Sequence, residues 1–167
     1  LEQYPDAIVR VAGSDITQIF TFKQRIRLSG YGKYIRSIIR QNNLEDKVFF
    51  TGSLDAEQMK WEYLNANVFI CPSSIENSPN SLGEAQILGT PCVASYVGGV
   101  MDMMIGDEQH LYRFEEIEML AIKICEVFAA KDKQVDMRME ASVRHDPIRN
   151  SLTLIGIYKE ITGNKCM

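Results

Sequence analysis

Short apolar runs alternate with longer amphipathic stretches along most of this chain. Runs rich in β-branched and aromatic residues predict five strands, at residues 8–12, 48–50, 68–71, 91–95 and 110–112. Apolar positions at helical spacing predict helices at residues 34–41, 56–65, 82–88, 101–105, 115–129, 133–143 and 148–161. Asp55 is predicted to cap the second of these helices and Gly89 to end the third. Residues 13–33 are the least regular stretch and predict a long loop with some helix.

This alternation predicts an α/β fold, a doubly wound parallel sheet with helices on both faces and a Rossmann-like topology. The apolar strands agree, because strands covered on both faces need no polar alternation. The length of 167 residues suits one domain that buries a single core. We therefore expect residues 1–167 to form one domain.

Ligands in such folds bind beyond the carboxyl ends of the strands, so the residues that follow each strand are the first candidates for a site. These residues are 13–15, 52–53, 73–82 and 95–100. Three of the four segments contain glycine, which lets the backbone approach a ligand closely.

Composition narrows the possible partners. The net charge of −4 argues against a nucleic acid partner, since phosphate binding needs a basic face. No stretch approaches the roughly 18–20 apolar residues of a membrane helix, and no signal peptide is recognised.

The cysteines and histidines predict neither a zinc site nor any other metal or cofactor. The four cysteines, Cys71, Cys92, Cys125 and Cys166, form no C-x-x-C pair, and the two histidines are far from metal-ligand spacing. Cys71 and Cys92 lie within apolar runs and are predicted to be buried reduced thiols. Such thiols are typical of a reducing compartment, so we expect a cytoplasmic protein.

The most informative stretch is residues 72–85, with Glu76 in a predicted loop and Glu84 in the predicted first turn of the following helix. The N–H groups at a helix N-terminus form an anion site, and carboxylates beside it can accept hydrogen bonds from sugar hydroxyls. A nucleotide-sugar offers both partners. A structural interpretation stays open: Ser81 and Glu84 match an S-x-x-E capping box, and Glu76 fits a solvated loop residue.

The whole segment resembles the signature of retaining glycosyltransferases of the GT-B fold, in family 4 (glycosyl transferases group 1). That signature is two glutamates separated by seven residues, the spacing of Glu76 and Glu84. The flanking residues are similar too. Residues 4–13 resemble the family's Y-P-D-A-x-L-x-I-V-G, residues 48–52 its V-x-F-x-G strand, residues 84–95 its E-A-x-A-x-G-x-P-V-V-A-S, and residues 98–99 its paired glycines.

The resemblance implies a role for each candidate residue. Glu84 would accept hydrogen bonds from the ribose hydroxyls of the nucleotide, and Glu76 would contact the transferred sugar. Backbone N–H groups around Asn80, Ser81 and Leu82 would hold the diphosphate or the sugar. The turn at Gly13 and Ser14 would lie close to the phosphates, and residues after Gly52 would flank the base.

Some features of the family pattern are absent from this sequence. The family's first strand and its G-R…K-G segment, whose cations neutralise the diphosphate, would precede Tyr4, and the N-terminal acceptor-binding domain would come earlier still. We therefore expect an N-terminally truncated donor domain that is inactive alone. Any peripheral membrane contact would involve the other half. The loop at residues 77–81 replaces a Gly-Phe-Gly-like run, and His110 and His145 are poor candidates for a general base.

The leading hypothesis is the donor half of a hexosyl-transferring enzyme of polysaccharide or glycolipid synthesis. A GT-B nucleotide-sugar epimerase or phosphorylase, and a non-enzymatic doubly wound binding domain, are the alternatives. The sequence contains no D-x-D, G-x-S-x-G, P-loop or G-x-G-x-x-G motif, which argues against the enzyme classes that need them.

Overall fold

A computed structural model of the chain describes residues 3–17, 30–130 and 136–163. Its strands are parallel and alternate with helices, so the predicted α/β fold class is confirmed. The chain divides into two compact units, residues 1–59 and 60–167, which are described separately. The assignment of residues 1–167 to one nucleotide-sugar binding domain stays a prediction.

The first unit contains a two-stranded parallel sheet, β1 (Val9–Ala12) and β2 (Val48–Gly52), in which Val9 pairs with Val48. Helix α1 (Gly30–Gln41) lies between them in sequence and begins four residues before the predicted start. Residues 18–29 of the predicted irregular stretch lie outside the described residues.

Helix α2 (Ala56–Asn65) follows β2 and begins where the sequence predicts. The Asp55 carboxylate accepts a hydrogen bond from the Gln58 N–H, and the Gln58 side chain accepts one from the Asp55 N–H, each at 2.9 Å. This reciprocal pair confirms Asp55 as the N-cap.

The second unit contains a three-stranded parallel sheet in the order β3-β4-β5. Its strands are β3 (Phe69–Cys71), β4 (Cys92–Ser95) and β5 (Leu111–Tyr112). Its helices are α3 (Asn80–Ile87), α4 (Val100–Met103), α5 (Ile117–Ala129), α6 (Arg138–Arg144) and α7 (Pro147–Ile161). None of the described helices is both long and apolar enough to cross a membrane.

The central strand β4 is fully buried, which explains why its sequence shows no polar alternation. Val93 of β4, Tyr112 of β5 and Val127 of α5 form the centre of a core cluster. Leu82 of α3 and Val100 of α4 are likewise completely buried. The sheet therefore fixes the positions of the loops that leave its carboxyl edge.

Two predicted boundaries near the candidate residues are wrong. Helix α3 begins at Asn80, two residues earlier than predicted, so Glu84 is its fifth residue and lies in the second turn rather than the first. His110 lies in a 3-10 turn before β5 instead of beginning the strand. Gly89, with φ +78°, follows the end of α3 and confirms the predicted stop.

Candidate functional site

The loop between β3 and α3 carries Glu76 and is held at its start by two serines. The Ser95 hydroxyl, at the end of β4, lies 2.6 Å from the Ser73 carbonyl oxygen and 3.3 Å from that of Cys71, both acceptors. The Ser73 hydroxyl in turn donates to Glu76 Oε1 at 3.2 Å. The half-buried Glu76 carboxylate is thus oriented through hydrogen bonds that begin in the buried sheet.

Gly98 and Gly99 allow the next loop to pack directly against this one. A Cβ on Gly98 would overlap the carbonyl oxygen of Glu76, and a Cβ on Gly99 would overlap that of Asn77. Gly98 also has a φ of +46°, a backbone conformation that residues with a side chain rarely adopt. These are the paired glycines of the family resemblance. The structure explains why glycine is needed at both positions: their backbone lies in direct contact with the backbone of Glu76 and Asn77.

Helix α3 begins without a side-chain cap. Its N-cap is Pro79, which has extended dihedral angles and makes no side-chain hydrogen bond to the helix. The N–H groups of Leu82 and Gly83 both bond to the Pro79 carbonyl, at 3.1 and 3.3 Å. Asn80 and Ser81 precede these bonds, and the first N–H groups of a helix have no intrahelical acceptor. They are the backbone donors best placed to bind an anion.

Leu82 differs from its two neighbours. Its side chain is 0% exposed, and its N–H is already bonded to Pro79. If this N–H also contacted a phosphate, the Pro79 carbonyl and the phosphate would have to share the same donor. Leu82 anchors the start of α3 in the core, and its predicted role as a ligand donor stays a prediction.

Glu84 is hydrogen bonded to Tyr63 and does not close a capping box. Ser81 lies inside the helix rather than at its N-cap, so the capping interpretation is wrong. The Tyr63 hydroxyl donates to Glu84 Oε2 at 3.1 Å. Burial, and then the negative charge of Glu84, raises the pKa of Tyr63, so its hydroxyl stays protonated at neutral pH.

Tyr63 is itself held rigidly, so it can orient Glu84. Its side chain is 3% exposed, and its ring packs edge-on against Phe69 of β3 with a centroid separation of 5.5 Å. The Thr90 hydroxyl donates to the Tyr63 carbonyl at 2.8 Å. The Glu84 carboxylate is nevertheless on an exposed residue, and each of its oxygens can accept more than one hydrogen bond.

The buried face of α3 is fixed by Gln86, a residue outside the set predicted from the sequence. Its Nε2 donates to the Met103 carbonyl of α4 at 2.9 Å, and its Oε1 accepts from Arg144 Nη1 of α6 at 2.9 Å. Nothing in the sequence distinguishes Gln86 from the other polar residues of this helix, Asn80, Ser81 and Glu84. These bonds fix the axial position of the helix that carries Asn80, Ser81 and Glu84.

Among the described residues, neither histidine forms a hydrogen bond to Glu76 or Glu84. His110 is buried, and its Nδ1 lies 2.7 Å from Asp107 Oδ1. The His145 ring packs against Gly83, where an added Cβ would overlap it, and its buried Nε2 has no hydrogen-bond partner among the described residues. Both rings have structural surroundings in this fold.

The thiols Cys71 and Cys92 are free and buried, as predicted. Burial raises the pKa of each, so both are protonated at neutral pH and are poor metal ligands. Within residues 3–17, 30–130 and 136–163, no group of three or more His, Cys, Asp or Glu side chains could hold a metal ion. The metal-free site stays a prediction.

Gly13 and Ser14 belong to the first unit, whereas Glu76 and Glu84 belong to the second. Gly13, with φ +129°, follows β1 and exchanges two backbone hydrogen bonds with Gly52, at 3.0 and 3.1 Å. Its N–H is therefore already paired. Ser14 is exposed, and the Asp15 carboxylate after it accepts from the Thr17 N–H and hydroxyl at 2.8 and 2.6 Å. Their place in one site with the glutamates stays a prediction.

The fold defines the class of protein: a Rossmann-like α/β domain of the GT-B type. The structure superimposes on a sucrose-phosphate synthase from Thermosynechococcus elongatus with a TM-score of 0.76 and 24% sequence identity, over 96% of this chain and 40% of that one. At this identity, the similarity shows the fold alone.

The family follows from the sequence match. Residues 1–144 match the family model of the glycosyl transferases group 1, and the chain belongs to that family. An uncharacterized glycosyltransferase from Methanocaldococcus jannaschii is 34% identical over 71 residues, which is 42% of this chain and 18% of that protein. The chain thus spans less than half the length of these similar proteins.

Proposed function

We propose that this chain binds a nucleoside diphosphate sugar as the donor half of a retaining glycosyltransferase of family 4. The enzyme would transfer a hexose to an acceptor in polysaccharide or glycolipid synthesis. The observation that carries the proposal is the placement of Glu84, an exposed carboxylate that the buried Tyr63 hydroxyl orients one turn behind the unpaired start of α3.

This arrangement offers each part of such a donor a chemically suitable partner. The Asn80 and Ser81 N–H groups suit a diphosphate oxygen, because they combine donors with the positive end of the helix dipole. The Glu84 carboxylate suits the two ribose hydroxyls, which are donors. Glu76, fixed by Ser73, suits the hydroxyls of the transferred sugar. In the larger enzyme, transfer would preserve the anomeric configuration of that sugar.

Nucleotide binding tests this proposal directly. We expect one of UDP, GDP, ADP and CMP to shift the amide resonances of Asn80, Ser81 and Glu84 in a titration followed by NMR. Glu84→Gln should weaken that binding about 10-fold or more, since a hydrogen bond to a charged group contributes about 1.5–3 kcal/mol. Glu118→Gln, on an exposed turn of α5, is the matched control and should bind as the parent does. The absence of any shift at millimolar nucleotide would contradict the proposal.

The Tyr63→Phe substitution removes the hydrogen bond from Tyr63 to Glu84 and keeps the ring, so it distinguishes orientation of Glu84 from the packing role of Tyr63. Removal of the hydroxyl frees the Glu84 carboxylate to rotate, so we expect the affinity for the ribonucleotide to fall about 3- to 10-fold, as for one hydrogen bond. The affinity for the 2′,3′-dideoxy analogue should not change, because it lacks the hydroxyls that Glu84 would bind. Calorimetry on both ligands gives the comparison.

A buried tyrosine elsewhere in the same unit supplies the control for this experiment. Tyr112 of β5 is also almost fully buried, and Tyr112→Phe should affect both ligands equally. Equal losses of ribonucleotide and dideoxynucleotide affinity in Tyr63→Phe would show that Tyr63 acts through packing alone.

A further inference from the structure

Helix α6 lies along α3 in the opposite direction, and a glycine marks each end of the contact. A Cβ on Gly83, near the start of α3, would overlap the ring of His145, the residue that follows α6. A Cβ on Gly89, after the end of α3, would lie 2.9 Å from Cδ of Arg138, the first residue of α6. The start of α3 therefore faces the end of α6, and the absence of a side chain at Gly83 lets the His145 ring approach closely.

The backbone around His145 is fixed from several sides. Its own N–H donates to the Ala141 carbonyl at 3.0 Å. Arg144, the residue before, bonds to α3 through its guanidinium, and its carbonyl accepts from the Asn150 side chain of α7 at 3.0 Å. Asp146, the residue after, caps α7 by accepting from two N–H groups at 2.8 and 3.0 Å. The His145 ring therefore extends from an anchored junction between α6 and α7.

The ring turns one particular edge toward α3. The three atoms nearest to a Cβ on Gly83 are Nε2, Cε1 and Cδ2 of His145, which form that edge. Nε2 is buried and makes no hydrogen bond within the part of the chain that the structure describes. A hydrogen on Nε2 would point at the Gly83 backbone without an acceptor, which is costly for a buried donor. The ring proton therefore belongs on Nδ1, and the bare Nε2 can face the weakly donating Gly83 Cα–H.

Gly83 lies between the two parts of α3 that the donor proposal uses. Asn80 and Ser81 lie in the turn before it, and Glu84 follows it directly. A shift of α3 at Gly83 would displace the two N–H groups and the carboxylate together. Binding groups must be held to within about 0.5 Å of their productive geometry, so a contact that fixes Gly83 bears directly on donor affinity.

We propose that His145 is a positioning residue for donor binding, whose Nε2 edge sets how closely α3 approaches the end of α6. It acts through α3 and does not itself contact the donor. The inference rests on the proposed function and adds a residue to it. His145 directly follows the residues that match the family model, so the family assignment gives it no role.

A pair of compensating substitutions tests the inference. Gly83→Ala puts a methyl group where the ring lies, so we expect the Asn80, Ser81 and Glu84 amides to shift and nucleotide affinity to fall about 3- to 10-fold, as for coupled residues in contact. His145→Ala leaves a gap beside Gly83 and should weaken binding similarly. The double variant has room for the methyl group, and its affinity should return to within about 2-fold of the parent. NMR titration with the nucleotide that binds the parent gives all four values.

Two control variants and the ring tautomer separate positioning from general stability. Met139→Ala, at an exposed site of α6, and Gly156→Ala, in α7 with nothing near its Cβ, should leave affinity unchanged. Two-bond ¹H–¹⁵N correlation should show the His145 proton on Nδ1. A proton on Nε2, unchanged amides and affinity in Gly83→Ala, or additive losses in the double variant would each overturn the inference.

These outcomes are distinct from failure of the donor proposal. If the parent chain binds none of the nucleotides, the donor proposal fails, and the role of His145 in binding fails with it. If the parent binds a nucleotide and Glu84→Gln weakens that binding, the donor proposal holds. Additive losses in the double variant would then overturn the role of His145 alone.

Discussion

Replacing Gly99 by alanine is expected to lower the free energy of unfolding by about 2–4 kcal/mol, as for severe steric substitutions. Gly99 has φ −78°, which alanine adopts without strain, so the cost comes from overlap of its Cβ with the Asn77 carbonyl oxygen. Because that oxygen belongs to the backbone, no side-chain rotation relieves the overlap. The segment that carries Glu76 must move away.

The displacement of the Glu76 segment can be measured in the same variant as the loss of stability. Urea unfolding followed by circular dichroism gives the free energy, and NMR reports the amides of Glu76 and Asn77. Gly156→Ala is the control, since Gly156 lies within α7 with nothing near its Cβ and alanine is the better helix former there. We expect that variant to be unchanged or slightly stabilised. A Gly99→Ala protein as stable as the parent would disprove the close contact between the two loops.

Gln86→Met is the second substitution expected to have a large effect. The two side chains have similar volumes, so the change removes hydrogen bonds with little loss of packing. The Met103 carbonyl loses its donor, and the half-buried Arg144 guanidinium loses an acceptor. An unsatisfied buried polar group costs about 1–3 kcal/mol, and we expect a total loss of about 2–4 kcal/mol.

Gln109→Met is the matched control for this substitution. Gln109 is an exposed residue whose amide lies 3.4 Å from Asp107 Oδ1, so its replacement should change the free energy by less than about 0.5 kcal/mol. Urea unfolding measures both variants. Similar effects of the two substitutions would show that the bonds from Gln86 to α4 and α6 contribute nothing specific.

These two predictions concern the residues that support the two candidate glutamates. Gly99 fixes the loop that carries Glu76, and Gln86 fixes the helix that carries Glu84. Each glutamate is thereby supported by a residue other than those proposed to bind the donor. Loss of either support should reduce donor binding even where the protein stays folded.

Much of the fold was predicted from the sequence because its signals are local. Apolar runs rich in β-branched and aromatic residues marked β1 to β5. Burial on both faces explains this pattern for the fully buried β4, whereas all four residues of β1 are exposed. The Asp55 cap and the Gly89 stop depend on residues within one turn of the helix end, so the sequence alone sufficed for both. The spacing of Glu76 and Glu84 likewise needed no coordinates for the family to be recognised.

The predicted capping box was wrong because Glu84 forms a hydrogen bond to a residue far away in sequence instead of closing the start of its own helix. Ser81 and Glu84 have the right spacing, but Pro79 starts the helix earlier, with a φ of −69° that suits a residue at that position. Glu84 then bonds to Tyr63, which is 21 residues away in sequence. A sequence pattern contains no information about which buried donor lies nearby.

The sequence by itself determined the family, the order of the elements and the segments of the chain in which the candidate residues lie. The tertiary structure decided how those residues are held: Tyr63 against Glu84, Gly98 against Glu76, and Gln86 against Arg144 across 58 residues. It also placed the His145 ring against Gly83. The physical reason is that strand and helix periodicity depends on neighbours along the chain, whereas orientation of a side chain depends on packing between elements far apart in sequence.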